Sequence, residues 1–227
     1  MLKRLGLALL IAGAAAAVHA ADKPPVVVEL YQSQGCSSCP PADLNVNAIA
    51  GRPDVLALSF SVTYWDQLGW KDTFAKDAFT SRQYDYAHGF KRAQVATPQV
   101  VINGRSDLVG NNREQLLTAI DRAAPLAGPG LTVAGGKVSI AGGPATGVAD
   151  VWLVRYDPRL QQVPVRRGEN AGKTLPHRNI VKELVNLGAW TGKPQSYALP
   201  AGADPALKTA ILLQAHKGGP ILSARKV

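Results

Sequence analysis

Val26-Val27-Val28-Glu29-Leu30-Tyr31, then Gly35-Cys36-Ser37-Ser38-Cys39-Pro40-Pro41, decides how this chain is read. An apolar run of strand length leads into a glycine turn, and a C-x-x-C follows where a helix should begin. Cys36 and Cys39 are the only two cysteines. A cysteine at a helix start faces unpaired backbone N–H groups and the positive end of the helix dipole, and both favour the thiolate. A second thiol three residues on lies on the same face and can resolve a mixed disulfide. A structural staple is the weaker reading, because closing so short a loop removes little unfolded-state entropy. The expected pair is an exposed, acidic Cys36 that attacks and a buried Cys39 that resolves.

The N-terminus reads as a secretory signal. Lys3 and Arg4 precede the apolar stretch Leu5–Val18, and Val18-His19-Ala20 is a small-residue exit before Ala21. Residues 1–20 are therefore expected to be a cleaved leader, with the mature chain starting near Ala21. That places it in the periplasm or outside the cell, where disulfides persist. No later segment is long and apolar enough to read as a permanent membrane span. The formal charge is +9, but basic residues are scattered, with no stripe interleaved with aromatics. Nucleic acid is thus excluded as the expected partner.

Through Ala127 the chain alternates strands and helices. Val26–Tyr31 and Val55–Thr63 read as strands, and Pro40–Ala50 as a helix with Leu44, Ala48 and Ile49 on its apolar face. An aromatic-bearing segment from Asp72 to Phe90 reads as mostly helical. Val100–Ile102 turns through Asn103-Gly104 into Ser106–Val109, and Asn112 or Asn111 caps a last helix. This order is that of a thioredoxin-like α/β domain carrying inserted helices, spanning residues 21–127. After Gly128-Pro129-Gly130, short alternating runs punctuated by Gly and Pro predict a smaller β-sandwich-like domain over 131–227. Asn179–Leu187 is ambiguous between strand and helix.

Thr97-Pro98 precedes the third strand of that order. In such folds this proline is typically cis and lies against the dithiol, so Thr97 would offer its backbone to an extended substrate chain. Glu29, seven residues before Cys36, is a candidate buried acid to take the proton of the resolving thiol. Ser37 and Ser38 are candidates for the substrate groove, as are Trp65 and Asp66 of Tyr64-Trp65-Asp66-Gln67-Leu68-Gly69-Trp70. His88, His177 and His216 are separated without ligand spacing, so no metal site and no cofactor are expected.

Several of these stretches together resemble a secreted bacterial thioredoxin-like family catalogued as a domain of unknown function. They are Glu29-Leu30-Tyr31, Cys36-Ser37-Ser38-Cys39-Pro40-Pro41-Ala42-Asp43, Tyr64-Trp65-Asp66 with Leu68-Gly69-Trp70, and Thr97-Pro98-Gln99 before Gly104. Gly168-Glu169-Asn170-Ala171-Gly172 with His177-Arg178-Asn179 is similar to that family's C-terminal signature. The resemblance implies a thioredoxin-like fold, a β-rich C-terminal part and a disulfide-linked activity, and it implies no substrate. Ser61 and Thr63 stand where members often place imidazole and acidic groups, and Ala96 replaces a frequent aromatic.

The function expected from the sequence is a periplasmic thiol–disulfide oxidoreductase acting through Cys36 and Cys39 on protein thiols or disulfides. The alternative is a non-catalytic envelope binding module or metallochaperone using the same cysteines.

Overall fold

The computed structural model describes residues 23–227, so the expected leader at 1–20 lies outside the described residues. Among the described residues no helix is long and apolar enough to cross a membrane.

The N-terminal half runs β1 (Val26–Gln32), α1 (Pro40–Ile49), β2 (Val55–Ser61), a 3-10 turn (Asp66–Leu68), α2 (Asp77–Gly89), β3 (Gln99–Ile102), β4 (Ser106–Leu108) and α3 (Arg113–Asp121). β1 and β2 are parallel, with β3 antiparallel on the other side of β1. Asn103 and Gly104 both take positive φ, 49° and 62°, as a tight hairpin between β3 and β4 requires. Asn112 caps α3, its side chain accepting from the Gln115 N–H at 3.0 Å. The helical segment expected from Asp72 begins only at Asp77, because residues 72–76 are held in turns by the Asp72 carboxylate, which accepts from the Phe74 N–H at 2.8 Å.

The C-terminal half is almost all strand: β5 (Leu131–Ala134), β6 (Lys137–Ile140), β7 (Ala149–Asp157), β8 (Gln161–Pro164), β9 (Thr174–His177), β10 (Ile180–Trp190), β11 (Gln195–Ala198), β12 (Lys208–Ala215) and β13 (Ile221–Lys226). The ambiguous 179–187 stretch is strand from Ile180 onward, with bulges against β7. These strands do not stand apart from the first half. β10 lies parallel to β2 at Ile180–Ser59, and one mixed sheet runs β13-β12-β7-β10-β2-β1-β3-β4. Among the described residues the remaining strands form a three-stranded sheet, β11-β6-β5, and the two-stranded arm β8-β9.

Strand alternation divides the core between the two faces of the large sheet. Val27, Tyr31, Leu58, Phe60, Val154, Leu212 and Ile221 point to one face, with Phe79 and Tyr86 of α2. Val28, Leu30, Ala57 and Val100 point to the other, under Ala42, Val46 and Ile49 of α1 and Leu116 and Ile120 of α3. That same face continues as Val151, Leu153, Ile211 and Leu213 under Val138, Ile140 and Tyr197 of the small sheet. β2, covered on both sides, is buried at all seven positions.

The inward face of α1 differs from the expected one. Ala42, Val46 and Ile49 make the stripe, while Leu44 is 55% exposed. The helix is turned so that Asp43 also points inward.

Candidate active site

β1 ends at Gln32, and Ser33-Gln34-Gly35 turns the chain so that the two cysteines precede α1. Cys39 is the N-cap of α1, Pro40 and Pro41 open its first turn, and Cys36 lies one turn ahead, its carbonyl accepting from the Cys39 N–H at 3.2 Å. The cysteines are joined in a disulfide, with Cα atoms 5.5 Å apart.

Gln34 is pinned from three directions. Its N–H donates to Asp72 Oδ2 at 2.8 Å, its side-chain oxygen accepts from Trp70 Nε1 at 2.9 Å, and its amide nitrogen donates to Thr73 Oγ1 at 3.1 Å. Burial pushes the Asp72 carboxyl above its ordinary value, against the pull of those backbone N–H groups. The aromatic-rich stretch after β2 thus braces the turn that sets the cysteines.

Thr97 stands over Cys36. Its peptide bond to Pro98 is cis, and its carbonyl oxygen is 3.8 Å from Cys36 Sγ and accepts from Ser38 Oγ at 3.3 Å. Ser38 Oγ is itself 3.2 Å from Cys36 Sγ. Trp65 Nε1 donates to Thr97 Oγ1 at 2.7 Å, so the indole holds Thr97 in place. Asp66 is engaged elsewhere, accepting from the Asp72 N–H at 3.0 Å. Cys36, Cys39, Ser38, Thr97 and Trp65 therefore come together, with Pro98 next in the chain after Thr97, Ser37 lies exposed between the cysteines, and Asp66 supports the loop.

Glu29 does not join them. It shares strand parity with Val27 and Tyr31, which face α2, whereas α1 covers the Val28 and Leu30 face. There the fully buried carboxylate takes a hydrogen bond from Arg82 Nε at 2.8 Å and another from the Tyr86 hydroxyl. Burial first, and the Glu29 charge second, push the Tyr31 and Tyr86 hydroxyls well above their ordinary value.

The larger departure from expectation is that Cys36, like Cys39, has no exposed surface. Thr97 and Ser38 lie against its sulfur, and the loop of the β8-β9 arm holds the backbone on either side of it. Glu169 accepts from the Ser37 N–H at 2.9 Å, and Asn170 Nδ2 donates to the carbonyls of Cys36, at 2.8 Å, and Gln34, at 3.0 Å. Gly168, at φ 75°, lies against Trp70: a Cβ there would be in ordinary contact, 3.4 Å from Trp70 Cβ. Hydrogen bonding by the Ser37 side chain and backbone holds the exposed Glu169 carboxyl below its ordinary value.

The arm also brings His177 against α1, where Asn47 Nδ2 donates to the Pro176 carbonyl at 2.7 Å. His177 Nδ1 lies 3.6 Å from Asp43 Oδ1, with both side chains buried. Glu169, Asn170 and His177 lie in stretches the sequence marks as distinctive without placing them at the cysteines. Asp43 was legible only as the last residue of Cys36-Ser37-Ser38-Cys39-Pro40-Pro41-Ala42-Asp43. Among the described residues no group of three or more His, Cys, Asp and Glu is arranged to hold a metal ion.

The family model for a protein of unknown function, DUF1223, matches residues 27–214. A crystal structure of a protein from Agrobacterium tumefaciens is similar to this chain with 33% identity and a TM-score of 0.71, covering 89% of this chain and 93% of that one. HBP35 of Porphyromonas gingivalis, at 9% identity, is similar in fold, with a TM-score of 0.57 over 90% of this chain and 75% of that one. No curated protein matches the chain.

Proposed function

The chain belongs to the DUF1223 family of proteins of unknown function, and we propose that it works as a thiol–disulfide oxidoreductase acting on protein thiols or disulfides. One observation carries this reading. The Cys36–Cys39 disulfide precedes the first turn of α1, and the Thr97 carbonyl lies 3.8 Å from Cys36 Sγ. A dithiol at a helix start, beside a backbone group able to pair with an extended chain, is what exchange with a protein substrate requires. The order of β1 through α3 supports reading the first half as a thioredoxin-like core, with the later strands extending its sheet. The N-terminal sequence supports work in the periplasm or outside the cell.

In this reading Cys36 is the attacking sulfur, Cys39 the resolving one, and Thr97 with Pro98 the substrate rest. Ser38 is the nearest hydroxyl donor to a Cys36 thiolate. Pro40 and Pro41 have no N–H to offer, and the Ser37 N–H is occupied by Glu169, so the helix start supplies few free donors.

The complete burial of both cysteines favours a second reading, a binding module in which the disulfide is not turned over. One purified sample separates the two. Catalysed reduction of insulin, or oxidation of a reduced unfolded protein, above the uncatalysed rate and lost in Cys36→Ser supports the oxidoreductase. No acceleration, with the Cys36–Cys39 disulfide of the folded protein resisting dithiothreitol, supports the binding module.

A further inference from the structure

Asp43 lies four residues after Cys39 on α1, its N–H donating to the Cys39 carbonyl at 3.1 Å. Residues so spaced share a helix face, and helical side chains lean toward the N-terminus, so the Asp43 carboxyl leans toward the cysteine end of α1. His177 meets it there from β9. The His177–Asp43 contact of 3.6 Å is longer than a hydrogen bond. Both imidazole nitrogens and Asp43 Oδ2 are buried with no hydrogen-bond partner. Phe74 closes the pocket edge-on to the imidazole, ring centroids 5.9 Å apart. The other charged group acting on the imidazole is Asp72, in the segment before α2, and beyond the Phe74 ring Lys182 of β10 lies with its Nζ 3.9 Å from the ring centroid.

Buried polar groups are nearly always satisfied, and three unsatisfied atoms on one ionisable pair need a reason. A redox or catalytic role is one such reason, and Asp43 of the pair sits on the helix that the cysteines open.

We infer that Asp43 and His177 are the proton-transfer pair for Cys39, a role that rests on the thiol–disulfide exchange proposed above. In that exchange the Cys36 thiolate attacks a substrate disulfide. An S–S bond forms between Cys36 and one substrate sulfur, and the other substrate sulfur leaves as a thiolate. The Cys39 thiol then passes its proton to the pair and attacks Cys36 Sγ, and the bond from Cys36 to the substrate breaks. The substrate disulfide has gained two electrons and the Cys36–Cys39 dithiol has lost them. In the opposite direction Cys39 leaves as a thiolate and takes the proton back.

The electrostatics agree. Burial pushes the Asp43 carboxyl up, against the opposing charge of His177. Burial alone would push the imidazole down, but the nearby Asp43 carboxylate, with a smaller contribution from the Asp72 charge, raises it. Glu29, the acid expected to do this work, faces the other side of the sheet.

The test is stopped-flow reaction of the reduced protein with 5,5′-dithiobis(2-nitrobenzoate). A first burst of thionitrobenzoate reports attack by Cys36, and a second reports resolution by Cys39. In Asp43→Asn and His177→Gln the first phase should stay within about twofold of wild type, while the second slows by about tenfold or more and changes its pH profile. A first phase intact and a second unchanged in both variants would overturn the inference. A wild-type protein with no fast first phase would instead overturn the oxidoreductase reading beneath it. Should the variants fail to fold, the wild-type His177 imidazole can be titrated by NMR in the oxidised and reduced states. A pKa that moves when Cys39 becomes a thiol supports the pair, and one that does not move refutes it.

Discussion

The Glu169 carboxylate accepts a hydrogen bond from the Ser37 backbone N–H at 2.9 Å, between the two cysteines. An acid from the C-terminal half thus occupies a donor that would otherwise be free to stabilise a Cys36 thiolate. The same loop holds the Cys36 carbonyl through Asn170 Nδ2 at 2.8 Å.

Removing that charge should make Cys36 more reactive. In reduced Glu169→Gln, iodoacetamide should label Cys36 at neutral pH faster than in wild type, because a carboxylate near a forming thiolate disfavours it. The effect has a pH sign. A carboxyl whose value is lowered by docking stabilises the docked loop above the ordinary glutamate range, and that contribution is lost as pH falls through the lowered value. Reduction of the wild-type disulfide by a phosphine should therefore be slower than in Glu169→Gln above that range and should converge with it in acid. Parallel rates at every pH would mean the loop does not gate the sulfur.

Ser38→Ala should act in the opposite direction. Ser38 Oγ is 3.2 Å from Cys36 Sγ, and a hydroxyl donating to an anion is worth about 1.5–3 kcal/mol. With part of that lost to water at this exposed residue, the Cys36 pKa, read from the pH dependence of alkylation, should rise by about one unit.

Glu29 and Arg82 should matter for stability and not for thiol chemistry. Arg82→Met leaves a buried carboxylate without its cation and should lower unfolding free energy by about 3–5 kcal/mol in urea titration. Glu29→Gln, which keeps the shape, should leave both phases of disulfide exchange within about twofold, since general acid–base assistance would be worth far more. A selective slowing of Cys39 resolution would return Glu29 to the mechanism.

A fragment of residues 23–127 should not fold on its own. It would expose the β2 edge that β10 covers and the apolar face that Val27, Leu58 and Phe60 share with Val154, Leu212 and Ile221. The expected outcome is aggregation or loss of near-ultraviolet circular dichroism. A soluble fragment with a cooperative thermal transition would show that the first half is an independent unit.

What could be read from the sequence was local. The strand before Cys36, the proline-opened helix, the Asn103-Gly104 hairpin and the Asn112 cap each follow from neighbouring residues. The association of Thr97-Pro98 with the cysteines came from the order of elements. What could not be read depends on pairing across the chain. The Ser37–Glu169 contact joins residues 132 positions apart, and nothing local to either marks it. Glycine and proline at 128–130 suggested a boundary, yet the sheet crosses between the halves through β10 and β2. Glu29 misled for a simpler reason. Its distance from Cys36 fits an acid near a dithiol, but strand parity decides the face, and parity puts Glu29 with Tyr31 rather than Leu30. Leu44 misled similarly, since a small rotation of α1 exchanges it for Asp43.

The central claim is that Cys36 exchanges with protein disulfides and Cys39 resolves the product. Reduced Cys39→Ser protein mixed with a disulfide-bonded unfolded substrate tests it most directly, with trapped species identified by mass spectrometry after acid quench. The account predicts a mixed disulfide through Cys36, formed faster in Cys39→Ser/Glu169→Gln than in Cys39→Ser alone, and absent when Cys36 is also replaced. Failure to trap any substrate at Cys36, in a protein whose Cys36 is still alkylated by iodoacetamide, would contradict it.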